Sequence, residues 1–353
     1  MWMKPLNHRL AELDGLRAIA ALFVVLYHYF SRWSEVLPYG AVLRPLADYG
    51  YLGVNLFFII SGFVISMSLK NCPSIIVFAQ RRLIRLMPAM IICSLVTFAV
   101  MWWIDSSFAL ARRQEWTSFL PSWTFIEPTI WRRIFPVGDW IDGAYWTLFV
   151  ELKFYVLAAF AWFVVGRRHF RTFFLIALVV GFSSEAWLPR SALRTLLVEH
   201  LFFPTYLPLF CVGIAFAYLL NCSRSWRTWI LLGLGFVLSI MATSGAGARL
   251  IILLFFGMFV LLIYQPFWTR WLGTGSLVWI GLVSYPLYLL HQNIGVAIMT
   301  TIPDEIMSYW FYIVVFLITF GILILAVAVH HWVELPVQAA FKRYGVKKVK
   351  WTD

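Results

Sequence analysis

The stretch that decides the fold is LDGLRAIAALFVVLYHYF, from Leu13 to Phe30. It is long and apolar enough to cross a bilayer as a helix, which takes about 20 residues. It nevertheless carries Asp14 and Arg17 near its start and His28 near its end. Ionisable side chains are costly inside a membrane and by default mark a functional site that faces the interior of a helix bundle. The stretch therefore predicts both a membrane helix and a functional site.

The composition of the whole chain also indicates a membrane protein. Of its 353 residues, 62% are hydrophobic and 12% are charged, and the mean hydropathy is +0.83, whereas soluble domains average about 25% charged residues. The net charge of +12 does not indicate nucleic-acid binding, because Lys and Arg cluster in short turns between apolar segments, as topology determinants do. The cysteines show neither a metal motif nor a disulfide framework. We expect no metal and no tightly bound cofactor. These cysteines are Cys72, Cys93, Cys211 and Cys222.

Continuous apolar runs predict an all-α transmembrane bundle of about ten helices, since the strands of a barrel would alternate instead. Basic residues favour cytoplasmic N- and C-termini, because this orientation leaves more of them inside. We expect residues 1–335 to form the membrane domain, with its first span retained, and 336–353 to form a basic cytoplasmic tail. The terminal basic residues are Lys4, Arg9, Lys342, Arg343, Lys347, Lys348 and Lys350. The predicted spans lie near residues 14–32, 50–69, 86–104, 146–165, 172–188, 201–220, 228–243, 248–265, 276–297 and 309–331.

This orientation places polar residues of different spans in two layers. Arg17 and His28 share one helix face at a separation of roughly 16 Å, so a single helix joins the layers. The outer layer holds His28, Asn55, Glu151 and His291. The inner layer holds Asp14, Arg17, Arg81, Arg82, Arg85, His330, His331 and Glu334.

His28 is the candidate for acid–base chemistry. A neutral histidine can take a proton from a hydroxyl, and a nearby carboxylate can fix its tautomer and stabilise the imidazolium. Glu151, at matching depth, is the candidate partner. Simpler interpretations stand beside these: His28 alone could be a packing group, and Asn55 could merely bond a neighbouring helix.

The segment FAQRRLIRLMP indicates a site for an anionic ligand. It places Arg81, Arg82 and Arg85 within about one helical turn, and arginine clusters bind phosphates through charge-assisted hydrogen bonds. The alternatives are a topogenic turn that meets anionic lipid, and an Arg17 that reaches the interface with Asp14 as its partner. A long cosubstrate with phosphates in the inner layer and its reactive end near His28 would use both layers, and acyl-coenzyme A has that shape.

Several motifs together resemble the acyltransferase 3 family of integral membrane O-acyltransferases. Arg17 and His28 match its Arg, ten residues, His element, and RRLIRLMP matches its arginine motif. GYLGVNLFFIISGF, which holds Asn55 and Ser61, resembles its second-helix motif, and AYWTLFVELKFY, with Trp146 and Glu151, resembles its Trp-Ser/Thr-Leu…Glu element. SYPLYLLHQ, with Tyr285 and His291, and VELP resemble its late elements. The resemblance runs over nearly the whole chain.

The resemblance implies transfer of an acyl group, often acetyl, from cytoplasmic acyl-CoA to a hydroxyl of an extracytoplasmic or exported glycan, in the inner (cytoplasmic) membrane. It implies His28 as the catalytic residue, with Arg17 and the Arg81, Arg82 and Arg85 group near acetyl-CoA or another acyl-CoA. Two departures stand out: Asn55 replaces a common Asp, and Leu152-Lys153 replaces a common Glu-Gln. We expect no appended SGNH esterase domain.

The leading hypothesis is therefore a membrane O-acyltransferase with His28 as base and Glu151 as its orienting partner. The remaining residues that we expect to line the site are Asp14, Asn55, Ser61, Trp146, Tyr285 and His291. The expected partners are acyl-CoA, a carbohydrate acceptor and membrane lipid, and no nucleic acid. The alternatives are an exporter of a solute or lipid-linked sugar, and an acyltransferase for a small hydrophobic metabolite. The sequence lacks GxSxG, P-loop and HExxH motifs, so a serine hydrolase, a nucleotide-driven pump and a zinc protease are not supported.

The long outer segment, about residues 105–145, is rich in Trp and acidic residues. Aromatic faces and carboxylates suit sugar binding, so the segment is a candidate platform for a glycan acceptor. The alternative is that these Trp side chains are interfacial anchors.

Overall fold

The computed structural model describes residues 10–222 and 224–345. Lys4, Arg9, Lys347, Lys348 and Lys350 of the predicted cytoplasmic segments lie outside these residues. Every regular element in the described part of the chain is helical, which confirms the all-α class. The α-helices of eight residues or more are α1 (Ala11–Tyr27), α2 (Gly53–Lys70), α3 (Ile75–Trp103), α4 (Trp146–Phe160), α5 (Phe170–Trp187), α6 (Leu207–Leu220), α7 (Trp226–Met241), α8 (Ala246–Tyr264), α9 (Gly275–Leu282), α10 (Ser284–Met299), α11 (Asp304–Val329) and α12 (Leu335–Gly345).

Within the described residues, 8 helical segments are long and apolar enough to cross a membrane. They account for the predicted spans except the seventh and the ninth. The seventh is α7, whose 16 residues extend only about 24 Å. The ninth is divided at Val283 into α9 and α10, because Pro286 has no N–H for the Leu282 carbonyl oxygen and its ring would clash with that carbonyl group in a continuous helix. The long segments are Ala11–Arg32, Arg44–Lys70, Ile75–Trp103, Gly143–Val165, Phe170–Trp187, Ala192–Leu220, Ala246–Tyr264 and Asp304–Arg343.

The chain divides into two compact units. The first contains Met1–Ala20, Tyr51–Phe78 and Val150–Gly281. Its core is the crossing of α2 and α6, where nearly all of α6 is buried. Glycines permit this close approach: a Cβ on Gly62 would lie 2.1 Å from the Phe210 carbonyl oxygen, and one on Gly213 would lie 2.0 Å from that of Ile59.

The second unit contains Ala21–Gly50, Ala79–Phe149 and Leu282–Asp353. Its centre is α10, which is buried along almost its whole length although it carries the polar sequence His291, Gln292, Asn293. The C-terminal end of the first span packs on it closely, since a Cβ on Gly295 would lie 1.9 Å from the Tyr29 hydroxyl. Buried polar groups need hydrogen-bond partners, so we expect the polar side chains of α10 to be hydrogen-bonded within this unit.

Candidate active site

His28 begins a π-helical turn, His28–Arg32, that continues α1. Such turns inside helices occur frequently at functional sites. The half-buried imidazole places Nδ1 2.9 Å from the carbonyl oxygen of Val24. The same nitrogen lies 3.1 Å from Nε2 of His291, and the two rings meet edge to face with centroids 4.8 Å apart. The second unit therefore brings together two of the predicted site residues, which lie far apart in the sequence.

Two carbonyl groups determine the protonation pattern of this histidine pair. His291 is fully buried, and its Nδ1 lies 2.7 Å from the Tyr288 carbonyl oxygen. A carbonyl oxygen can only accept, so Nδ1 of each histidine carries the proton. His291 Nε2 is then an acceptor, and the His28 N–H is shared between it and Val24. In neutral His28 this leaves Nε2 with its lone pair, the form that a general base needs.

Tyrosine hydroxyls hold α10 and hence His291 in place. Tyr29 donates to the His291 carbonyl oxygen over 2.6 Å. Tyr145 donates to the Leu289 carbonyl oxygen over 3.2 Å. The Tyr288 hydroxyl lies 2.9 Å from the Thr147 hydroxyl and donates to the Ala144 carbonyl oxygen over 3.0 Å. The position of His291 is thus fixed from the first span and from the start of α4.

Asp142 extends this support from the segment before α4. One carboxylate oxygen accepts from the Ala144 N–H over 2.8 Å, and the other accepts from the Asn293 N–H over 2.9 Å. Burial raises the pKa of Asp142 to about 6, although these two N–H groups oppose the shift. Asn293 also donates from its side chain to the Ile141 carbonyl oxygen over 3.1 Å. Gln292, between Asn293 and His291, reaches the His28 ring with its side chain.

Glu151 lies in the first unit, in α4, and its carboxylate is also bonded there. Ser61 donates to it over 2.8 Å, and Tyr155 donates a second, short bond. Two residues predicted to line the site, Ser61 and Glu151, are therefore direct partners. Asn55 is half-buried in α2 of the same unit. The role of Glu151 as orienting partner of His28 stays a prediction, while the hydrogen bonds of the His28 ring join it to Val24 and His291.

Asp14 and Arg17 form an ion pair over 2.9 Å near the start of α1, with the Asp14 side chain only 3% exposed. Glycines allow the backbone to pack closely here as well: a Cβ on Gly281 would lie 1.9 Å from the Asp14 carbonyl oxygen, and one on Gly15 would lie 2.1 Å from that of Leu272. The predicted partnership of Asp14 with Arg17 is thus present, and a role of Arg17 in cosubstrate binding stays a prediction.

The arginine motif lies in α3, within the second unit. Arg81 is exposed, and Arg82 and Arg85 are half-buried. The charge of Arg85 acts on Glu334, which also pairs with His330. The Tyr285 hydroxyl donates to the Leu86 carbonyl oxygen over 3.0 Å, one residue beyond Arg85. Phosphate binding by Arg81, Arg82 and Arg85 stays a prediction, as does the site-lining role of Trp146, which is 38% exposed.

Several supporting residues were not predicted from the sequence. His291 was expected only as a lining group, and its pairing with His28 is a structural finding. The consecutive polar residues at the end of SYPLYLLHQN could have indicated such partners, because consecutive buried polar groups in a helix need hydrogen bonds. Nothing in the sequence paired them with residues that precede α4. The unpredicted residues are Tyr29, Asp142, Tyr145, Thr147, Tyr288, Gln292 and Asn293.

Comparisons with known proteins give modest but consistent similarity. The chain is 28% identical over 179 residues to the O-acetyl transferase of Shigella phage Sf6. This match covers 49% of this chain and 51% of that protein. It is 27% identical over 202 residues to the O-acetyltransferase OatA of Staphylococcus aureus, covering 54% of this chain and 28% of that protein. It is 28% identical over 158 residues to the acyltransferase MdmB of Streptomyces mycarofaciens, and this match covers 44% of this chain and 39% of that protein.

These matches span about half or less of the relatives' own lengths. No solved structure matches the chain. The match to a protein family is more extensive, because the acyltransferase domain model of that family covers residues 10–332. The extent of this match shows that the chain belongs to the acyltransferase 3 family.

Proposed function

We propose that this protein is a membrane O-acyltransferase that moves an acyl group, acetyl in the first instance, from cytoplasmic acyl-CoA to a hydroxyl of an extracytoplasmic or exported glycan. Membership of the family and the O-acetyltransferase names of two relatives support the reaction class. The single observation that carries the chemistry is the protonation pattern at His28, whose Nδ1 faces the Val24 carbonyl oxygen. The proposal includes the inner membrane as location and the cytoplasm as the side of both termini.

In the proposed reaction, His28 Nε2 takes the proton of the acceptor hydroxyl. The hydroxyl oxygen attacks the thioester carbonyl carbon and forms the new C–O bond. The tetrahedral intermediate collapses with cleavage of the C–S bond, and the departing thiolate takes the proton back from His28. While His28 is charged, its Nδ1–H donates charge-assisted bonds to Val24 and His291, which stabilise the imidazolium.

The donor would approach from the inner layer. The arginines of α3 and Arg17 would bind the phosphates of acyl-CoA, because guanidinium groups recognise phosphate oxygens bidentately. The ion pair of Arg17 with Asp14 and the electrostatic contact of Arg85 with Glu334 restrict where these guanidinium groups can point. The donor thioester would then reach towards His28 over the roughly 16 Å that separates Arg17 from His28 along an ideal helix.

Replacement of His28 by Ala tests the proposal. In purified protein, His28→Ala should lower kcat for thiol release from acetyl-CoA about 10²–10⁴-fold, the usual contribution of a general base. The folded fraction should not change, because the imidazole is only half-buried. His169→Ala is the matched control, since this exposed histidine lies in the turn before α5.

Near-normal thiol release in His28→Ala would overturn the assignment. Passage of a solute through reconstituted vesicles without thiol release would favour the exporter instead. A covalent acyl-His28 intermediate can be distinguished from direct transfer with labelled donor in the absence of acceptor, because only the covalent route leaves label on the quenched protein.

A further inference from the structure

Two arginines flank a single tryptophan at the predicted outer end of the first span. The guanidinium carbon of Arg32 lies 4.8 Å from the centroid of the Trp33 ring, and that of Arg112 lies 4.3 Å from it. Phe108 packs edge-on against the same indole, with centroids 5.2 Å apart. Both arginines are exposed. Stacking restricts where a guanidinium group can point but leaves the N–H groups along its edge available.

These two guanidinium groups differ from those of Arg113 and Arg132 in the outer segment. Arg113 donates to the carbonyl oxygens of Met101, Trp102 and Ile104, and Arg132 pairs with Asp139 over 2.6 Å. Among the described residues, Arg32 and Arg112 have neither a hydrogen-bond acceptor nor a carboxylate partner. The Trp33 indole N–H is likewise buried without an acceptor in this part of the chain. The cluster of Arg32, Trp33 and Arg112 therefore carries N–H donors that are bonded to no acceptor among the described residues.

The cluster adjoins the candidate active site. Arg32 ends the π-helical turn that His28 begins, and its charge acts on the His28 ring. The charge of Arg112 acts on Asp142. Within the described residues that carboxylate accepts from the Ala144 and Asn293 N–H groups, and no hydrogen bond or ion pair joins it to the Arg112 guanidinium. An anionic group held at the cluster would thus lie beside His28 on its predicted outer side.

We propose that Arg32 and Arg112, held against Trp33, bind an anionic group of the acceptor, so that the acylated hydroxyl belongs to an acidic glycan. This inference rests on the proposed function. A carboxylate or phosphate a few bonds from the reacting hydroxyl fits, because two guanidinium groups can bind it with several charge-assisted hydrogen bonds. The bound anion would hold the neighbouring hydroxyl next to His28, which lowers the entropic cost of the reaction.

The test compares two sugars that differ in one charged group. Methyl glucoside and methyl glucuronoside share a ring but carry CH₂OH and carboxylate, respectively. In neutral detergent, the glucuronoside should stimulate thiol release from acetyl-CoA at about tenfold lower concentration than the glucoside does, as expected for one net charge-assisted contact.

The double variant Arg32→Gln/Arg112→Gln should lose this preference for the glucuronoside, whereas Arg132→Gln, a charge loss in the outer segment, should keep it. Equal responses to both sugars in the wild-type protein would overturn the subsite and leave the proposed function intact.

A binding measurement separates the subsite from catalysis. In the His28→Ala protein, the glucuronoside or inorganic phosphate should raise the thermal midpoint more than the neutral glucoside does, and Arg32→Gln/Arg112→Gln should abolish the difference. If this holds while no sugar stimulates thiol release in the wild-type protein, the subsite stands and the proposed function fails. If instead only phosphatidylglycerol nanodiscs give arginine-dependent stabilisation, the two arginines contact lipid and the proposal is wrong.

Discussion

The chemistry at His28 depends on which of its two nitrogens is protonated. Val24 and Tyr288 contribute carbonyl oxygens that each require a donor, and together they place a proton on Nδ1 of both His28 and His291. His291 then acts on His28 as an acceptor, the part that a carboxylate plays beside many catalytic histidines. Because this acceptor is neutral, it adds no charge of its own inside the bilayer, where a charge would be costly.

This arrangement predicts how substitutions of His291 should act. A Gln side chain places its carbonyl oxygen close to the position of Nε2, so His291→Gln should keep an acceptor for the His28 N–H and retain most of the activity. His291→Leu has similar bulk without an acceptor and should lower kcat about 10–100-fold, the loss of one charge-assisted bond to the imidazolium. KM for acetyl-CoA should stay constant in both. A purely structural role for His291 would instead lower the folded fraction of both variants with no change in the pH–rate profile of what remains.

At the residue scale, the sequence singled out both His28 and His291, which the structure brings together, because ionisable side chains in apolar helices are rare. The roles of Arg17 and the arginines of α3, which were identified from depth and spacing, stay predictions. The pairing of His28 with His291 could not be predicted, since similar depth does not determine which helices are neighbours. The bond from Tyr29 to His291 spans 262 positions of sequence, and periodicity carries no information at that range.

At the scale of elements, two glycines determine how α2 and α6 cross. Gly62 and Gly213 each face a backbone carbonyl oxygen of the other helix. A Cβ on Gly62 would lie 2.1 Å from the oxygen that it faces, and a Cβ on Gly213 would lie 2.0 Å from the oxygen that it faces. The helices approach so closely that neither backbone can accommodate a methyl group without moving. Small residues at helix crossings are the usual means of close packing in membranes. The crossing supports Ser61, which bonds Glu151.

Gly213→Ala should therefore destabilise the protein by about 1–3 kcal/mol, the usual cost of overpacking. The measurement is the thermal midpoint of the purified protein in detergent. Gly257→Ala is the matched control, because Gly257 lies inside α8 and a Cβ there would have no atom within 4 Å. That substitution should leave the midpoint unchanged or raise it, since Ala favours helix by up to about 1 kcal/mol. Equal effects of the two substitutions would contradict the close crossing.

The division of the ninth predicted span shows what the sequence can and cannot tell about elements. Residues 276–297 form a continuous apolar run, which predicts one helix. Pro286 was a signal for a boundary, because a proline inside a helix removes the bond to the carbonyl group four residues earlier and clashes with it. The position of the break, at Val283, depends also on packing: Gly281 meets the Asp14 backbone too closely for any side chain.

At the scale of the whole molecule, the all-α class followed from composition alone, since 62% hydrophobic residues in continuous runs leave few other folds. Orientation depends on the number of crossings. If the 8 long segments, the short α7 and the divided pair α9 and α10 all cross, the number of crossings is even and both termini lie on one side. The excess of basic residues then predicts that this side is the cytoplasm.

Cys222 tests this orientation without any substitution. It is the one exposed cysteine of the four, and it lies in the turn between α6 and α7, on the predicted cytoplasmic side. A membrane-impermeant maleimide should label it in inverted vesicles and leave it unlabelled in intact spheroplasts. Cys222→Ser is the control for labelling at any other position. In that background, Trp116→Cys should show the opposite pattern, because Trp116 is 75% exposed in the outer segment. Labelling of Cys222 from outside would place the arginines of α3 on the side without acyl-CoA, and the proposed direction of transfer would then be wrong.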